Sequence, residues 1–198
     1  MVPVGSSAPP LSMVSGDASF RRYFRASWQD HSYIAVDAPP QHENSSAFIK
    51  VCQMLRAAGV QAPEIFASDL NRGFLLLEDF GDRQLLPTLS RLQSNGEIGR
   101  AGAIYQGALQ TLLLIQRSPE KKRLDPYDRG QLRAEMNLFT EWFCAAFLGL
   151  ELSVPEHALI DQAMHFLEEA ALSQPMVMVH RDFHSRNLML LDLSLIHI

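Results

Sequence analysis

Residues Pro175–Leu191, PMVMVHRDFHSRNLMLL, decide how the rest of the chain is read. A short apolar run, Val177–Val179, leads into His180-Arg181-Asp182, and Asn187 opens a second apolar run, Leu188–Leu191. The pattern predicts strand, polar loop, strand, with the polarity confined to positions 180–187. An Asp and an Asn five residues apart on one rigid loop can flank a single phosphate. Phosphoryl transfer is one chemistry that needs a base and a metal ligand so placed, because it rests on positioning and charge neutralisation. Two plainer readings compete. A polar β-turn whose Asp and Asn bond their own backbone carries the same letters. His180 and His184 also have the H-x-x-x-H spacing that holds zinc when it falls on a helix. The flanking strand pattern argues against a helix there, and no further ligand cluster accompanies the pair.

The chain as a whole narrows the class. Its 198 residues are 47% hydrophobic, enough to bury a core in one domain or two small lobes. A net charge of −5 does not suggest a nucleic-acid surface, so no nucleic-acid partner is expected. No apolar run reaches 18 residues, and MVPVGSSAPP lacks the basic start and apolar stretch of a signal peptide. The expected setting is therefore the cytoplasm, with no membrane partner. Cys52 and Cys144 fall in helical patterns and read as small buried apolar residues of a reduced protein. No internal repeat is present, and the sequence leaves the oligomeric state open.

In order, residues 1–12 read as a flexible leader rich in Pro, Ser and Gly. Gly16-Asp17-Ala18-Ser19 is a turn signal, followed by strands at Tyr23–Ser27 and Tyr33–Asp37 and a proline stop at Pro39-Pro40. A glycine-started loop before a strand can offer N–H groups to phosphate oxygens, with Arg21 or Arg22 adding charge, although most Gly-Asp turns are only turns. Ser45 or Ser46 can cap a helix over Ala47–Ala58, with Phe48, Val51, Cys52 and Leu55 on its apolar face and Gly59 after its end. Strands follow at Glu64–Ala67 and Phe74–Leu77, around an Asn71-Arg72-Gly73 turn. The order predicts a small antiparallel sheet with one helix, a lobe over 13–79.

Leu77-Glu78-Asp79-Phe80-Gly81-Asp82 then reads either as a strand ending in an acidic turn or as a hinge whose backbone meets the edge of a nucleobase. From Leu85 to Ser173 the periodicity is helical, with helices at Glu97–Gln116, Asp128–Leu148 and Glu156–Leu172. The stripe through Phe139, Trp142 and Phe143 reads as core rather than as a cofactor box. Lys121-Lys122-Arg123 reads as a solvated charge run.

These parts, with His180-Arg181-Asp182 and Asn187 in the H-R-D-x-x-x-x-N spacing of kinase catalytic loops, resemble the aminoglycoside phosphotransferase and choline-kinase-like family. SGDASFRRYFR, YIAVDAPP, GFLLLEDFGD and VHRDFHSRNLM are similar to the bacterial anomeric sugar kinases that act on N-acetylmuramate and N-acetylglucosamine in peptidoglycan recycling. The likeness spans about residues 14–191. It implies an α+β, protein-kinase-like two-lobed fold, with a helical lobe over 80–192 that carries the loop, and an ATP- and Mg2+-dependent transfer to a small-molecule hydroxyl of an amino sugar. By the same resemblance, Asp182 is the base, Asn187 the metal ligand, and His180 the brace behind the loop. Ser19, Phe20 and Arg21 cover the triphosphate, backbone at Glu78–Phe80 holds adenine, and His184 and Arg186 face the sugar.

The chain departs from the family in two ways. The third strand, Tyr33–Asp37, lacks the usual Lys, and the next helix has Lys50 but no interior Glu. An Arg from the Arg21–Arg25 cluster is the expected substitute. Family members also continue into an Asp-Phe-x-Asp-like metal motif and further helices, whereas this chain stops at Ile198, and Asp192 is too close to Asn187 to replace that motif. The expectation is a C-terminally truncated chain, with 193–198 a non-native tail read from a sequencing adapter. Such a polypeptide is expected to show negligible turnover and poor solubility. The rival readings are an aminoglycoside- or choline-type phosphotransferase and a noncatalytic nucleotide-binding module that kept the fold.

Overall fold

The protein's structure, a computed structural model, describes residues 9–16, 20–191 and 195–197. Two compact units emerge: the residues up to Arg117 together with those from His180 onward, and Ser118–Val179. Residues 85, 108 and 188, all from the stretch 80–192 expected as the helical lobe, share one apolar cluster in the first unit.

In the first unit, β1 (Leu11–Gly16), β2 (Arg22–Trp28), β3 (His31–Asp37), β4 (Ile65–Asp69) and β5 (Phe74–Glu78) form one antiparallel sheet in the order β1-β2-β3-β5-β4. β2 and β3 pair from Arg22↔Asp37 to Trp28↔His31. This leaves a two-residue turn, Gln29-Asp30, with φ of 48° and 63°, the hand that suits the strand twist. β1 takes in residues 11 and 12 of the stretch read as a leader, whose residues 1–8 lie outside the described ones. Leu11 and Met13 are exposed and the strand carries a bulge between Met13 and Ser15, so its apolar pattern gave no period to find.

α1 (Ser45–Ala57) buries Cys52, Met54 and Leu55, while its Phe48 and Ile49 pack on the sheet core of Val36, Ala38, Leu75 and Leu77. Its cap is Asn44 rather than Ser45 or Ser46. The Asn44 side chain accepts the Ala47 N–H at 3.0 Å, and Ser46 Oγ donates to the same oxygen at 2.8 Å. Gly73 is the glycine that the fold requires on two counts. Its φ is +78°, and an added Cβ would stand 2.1 Å from the Ala38 carbonyl oxygen.

After the sheet come α2 (Leu85–Ser94), α3 (Ile98–Arg117), and a hairpin of β6 (Leu188–Leu190) with β7 (Leu195–His197). β7 falls within the expected tail, of which residues 193, 194 and 198 lie outside the described ones. Leu85, Ala108 and Leu188 close a core flanked by Leu89, Ile104, Phe183 and Leu190. Val177–Val179 joins no ladder; of the two strands expected around the loop, only the second forms, because only β6 has a partner strand.

The second unit holds a short 3₁₀ turn at Pro119–Arg123, α4 (Arg129–Leu138), a π-helical continuation over Phe139–Phe147, and α5 (Val154–Leu172). Asp128 caps α4 through the Gln131 N–H at 3.0 Å, and a Ser153–Glu156 capping box opens α5. The single helix expected over Asp128–Leu148 thus changes hydrogen-bond pattern at Phe139. Phe139, Phe143 and Phe147 stack at centroid spacings of 5.6 and 6.0 Å. This stripe is not core: Trp142 is 67% and Phe147 78% exposed. No described helix is long and apolar enough to cross a membrane. Cys52 and Cys144 are both buried and free, and burial pushes the Cys52 thiol up to about 11.

Candidate active site

The loop 180–187 is held to the start of α2 from both sides. The Leu86 N–H donates to the Ser185 carbonyl at 3.0 Å, and the Leu190 N–H to the Arg83 carbonyl at 2.8 Å. Gln84 bridges Met189, and Phe183 packs into the cluster of Leu85, Ala108 and Leu188. Within the loop the backbone folds tightly, with His184 N–H on the Asp182 carbonyl at 3.1 Å and Asn187 N–H on the His184 carbonyl at 2.9 Å. Arg181 lies at φ +73°, a left-handed conformation rarely taken by a residue with a side chain. His180 is half-buried, its ring set edge-on to Phe183 with the centroids 5.4 Å apart, and its Nδ1 accepts the Asp182 N–H at 3.2 Å. Burial holds this imidazole below the usual histidine range, so the neutral ring is favoured.

The side chains of Asp182 and Asn187 meet. Asn187 Nδ2 donates to Asp182 Oδ2 at 2.5 Å and to the Asp182 carbonyl at 3.2 Å. His184 Nδ1 accepts the Arg186 N–H at 3.2 Å, which leaves Nε2 to donate, and Nε2 lies 2.9 Å from Asp182 Oδ1. The Asp182 carboxylate is 67% exposed, so it is oriented from two sides yet open to solvent. Asn187 Oδ1 accepts no hydrogen bond among the described residues. A free amide oxygen beside a carboxylate is a donor set that fits a small, hard divalent cation. The zinc reading finds no support: the loop is not helical, and no group of three His, Cys, Asp or Glu gathers among the described residues.

Of the other expected site residues, Phe20, Arg21, Glu78 and Phe80 lie on the sheet side of the same unit. Ser19 is outside the described residues. Phe20 is exposed and stacks on His42 at 4.2 Å. Arg21 Nε lies 2.8 Å from Glu43 Oε2, with its guanidinium 5.2 Å over the Phe48 ring. Arg22 pairs with Asp37 across the β2–β3 ladder. Arg25 turns instead to the segment after β5, where Asp79 and Asp82 accept from it, so of the three arginines Arg21 is the one left beside α1. Glu78 is fixed by backbone N–H to the Glu64 carbonyl at 2.9 Å, and Phe80 is half-buried. Arg186 is exposed. An open concavity of about 470 Å³ lies at the start of α1, lined by Pro40, His42, Glu43, Asn44, Ser46 and Leu70; none of the base, metal or adenine residues borders it. Donors and acceptors converge instead on the loop 180–187.

The sequence placed Asp79 in the hinge stretch but gave its side chain no role. Its side chain is 4% exposed and takes a forked ion pair from Arg25, which stands 54 residues earlier. Only strand register brings the two together, and no local pattern records it.

Comparison with known proteins identifies the family. The model of the phosphotransferase enzyme family matches residues 11–195. The N-acetylmuramate/N-acetylglucosamine kinase of Pseudomonas putida is 40% identical over 188 residues, covering 95% of this chain and 52% of that protein. Its namesake in Pseudomonas aeruginosa is 41% identical over 184 residues, covering 92% and 52%. The chain spans about half the length of the curated relatives it matches. Among solved structures, a thermostable mutant of aminoglycoside phosphotransferase APH(4)-Ia superposes with a TM-score of 0.64 at 15% identity, over 97% of this chain and 66% of that one. A ternary complex of a mutant of that enzyme with AMP-PNP and hygromycin B gives 0.60 at 15% identity, over 98% and 67%. The likeness to the solved structures fixes a protein-kinase-like α+β fold, and the family pattern runs through sheet and loop alike: the chain belongs to the phosphotransferase enzyme family.

Proposed function

We propose that the protein is an ATP- and magnesium-dependent kinase that phosphorylates the anomeric hydroxyl of N-acetylmuramate or N-acetylglucosamine, in the cytoplasm, during cell-wall recycling. The observation that carries this reading is the contact of the Asp182 carboxylate with the Asn187 amide on a loop pinned to α2. Asp182 accepts the proton of the attacking sugar hydroxyl, while His184 and Asn187 keep its two oxygens in place. His180 holds the loop from behind. Asn187 Oδ1, beside the base, is the group that would hold magnesium, which supplies charge neutralisation on the phosphates when bound. Arg21, braced by Glu43, takes the phosphate-gripping part that a third-strand Lys plays in other kinases, and Ser19 and Phe20 cover the same phosphates. Backbone at Glu78–Phe80 receives adenine, and Arg186 faces the sugar. The sugar is supported by the names of the Pseudomonas relatives, and the nucleotide by the AMP-PNP complex of the structural neighbour.

The test uses the protein expressed from its intact gene, with Mg2+, ATP and each amino sugar, read by phosphorus NMR. The expected product is a sugar 1-phosphate, and Asp182→Asn is expected to lower turnover about 10³-fold with nucleotide affinity retained. Transfer to an aminoglycoside or to choline, with none to the amino sugars, would replace the substrate. The bare third strand favours one other reading, a module that binds nucleotide without transfer; nucleotide binding with no phosphorylated product from any acceptor would establish it.

A further inference from the structure

The segment that leaves β5 is bound to β2 more heavily than a loop of its length requires. Arg25 lies in β2 opposite Ile34, and β3 pairs in turn with β5 through Tyr33↔Glu78. From there its guanidinium crosses β3 to residues 79–82. Nε donates to Asp79 Oδ2 at 2.6 Å and Nη2 to Asp79 Oδ1 at 3.0 Å, while Nη2 also reaches the Gly81 carbonyl at 3.2 Å. Nη1 lies 2.8 Å from Asp82. Asp79 accepts in addition from Ser32 Oγ and from the Gly81 N–H at 2.9 Å. Burial alone would raise the Asp79 carboxyl, but the bonds from Arg25, Ser32 and Gly81 outweigh it and hold the group below the ordinary carboxylate range. A buried forked pair of this kind restricts direction as well as distance, since both N–H vectors lie in one plane. All three guanidinium nitrogens are committed to residues 79–82, which leaves Arg25 badly placed to grip a phosphate.

We propose that Arg25 is a positioning residue for nucleobase recognition: its fork on Asp79 and Gly81 fixes the backbone of Glu78–Phe80 in the shape that meets one base edge, and so it sets base preference rather than the transfer step. The proposal rests on the reading that residues 78–80 receive adenine. Ser32 is the lesser member of the same device, adding one hydrogen bond to the carboxylate from β3.

The test compares Arg25→Met, Arg25→Lys and Ser32→Ala with the wild type, in the protein expressed from its intact gene. Initial rates with ATP and GTP are measured beside calorimetric affinity for inorganic triphosphate, which has no base. Arg25→Met is expected to raise KM for ATP about tenfold and to narrow the ATP-over-GTP preference by a similar factor, with kcat and triphosphate affinity within about twofold of wild type. Arg25→Lys keeps the charge without the fork and recovers part of the loss; Ser32→Ala shifts preference in the same direction by less. A fall in triphosphate affinity parallel to that for ATP would overturn the proposal by making Arg25 a phosphate ligand. An unchanged ATP-over-GTP preference in both Arg25→Lys and Ser32→Ala would overturn it even if Arg25→Met does not fold. Failure of the underlying reading looks different: the wild type itself would show no base preference or no nucleotide binding, and the proposal would fall with it.

Discussion

In the unit that carries the loop, Met54, Leu85, Leu92 and Ile115 are the large side chains closed off from water, whereas between Ser118 and Val179 that place is taken by Glu168, 1% exposed. The first unit gathers its buried residues into apolar clusters, on the sheet and around Leu85. In the second, Arg129 and Arg133 from α4 reach Glu168 on α5, with Arg133 also on Asp161 and Arg129 on Glu169. Its Phe139, Trp142, Phe143, Phe147 and Phe166 side chains meanwhile stand in solvent. One unit excludes water with hydrocarbon, and the other ties two helices together by charge. A buried carboxylate of this sort is strongly directional, but it contributes less net stability than apolar packing of equal volume, because desolvating the ions offsets most of their attraction.

The contrast can be broken by mutation. Leu85→Ala should be the most damaging to stability, about 3 kcal/mol, because it opens a void under the loop as well as between α2 and α3. Denaturant unfolding would check it, and a loss under 1 kcal/mol would mean that the cluster is not what holds the first unit. Gly73→Ala should cost about 2 kcal/mol, since the new methyl must displace the Ala38 carbonyl from a position it already occupies. Acid sharpens the comparison further. The Glu168 carboxyl is held below its ordinary value by hydrogen bonds from Arg133 and then Arg129, so its stabilisation is complete above that value and is lost as pH falls through the depressed one. Amide exchange followed from pH 6 down to about pH 3 should show α4 and α5 losing protection before β2, β3 and β5, with Glu168→Gln flattening the dependence. The smallest effect belongs to Trp142→Ser, which removes an exposed ring: less than about 0.5 kcal/mol in stability, with an increase in solubility measurable by light scattering.

Much of the site was legible because it is local. Asp182, Asn187 and the two histidines lie within eight residues, and the tight loop that joins them needs no long-range knowledge. The sheet was legible for the reason that β3 and β5 are apolar on both sides of clear turns. β1 was not, since exposed Leu11 and Met13 on an edge strand have no buried face to impose a period. Val177–Val179 misled in the opposite sense: three apolar residues suggest a strand, but a strand exists only where a neighbour completes its ladder. The stripe through Phe139 and Phe147 revealed a helix face correctly, but periodicity does not say what covers a face, and the reading of it as core failed. Arg25 and Asp79 were beyond reach altogether, since their meeting depends on the register of three strands.

The backbone of Arg181 has a last consequence. A side-chain-bearing residue held at φ +73° costs on the order of 1 kcal/mol. The chain meets that cost once, when β6 and α2 close around the loop, and not again each time a molecule arrives. On the proposed function, a substrate reaching Asp182 meets groups already arranged, and the ordering entropy that a slack loop would charge to every encounter is settled during folding.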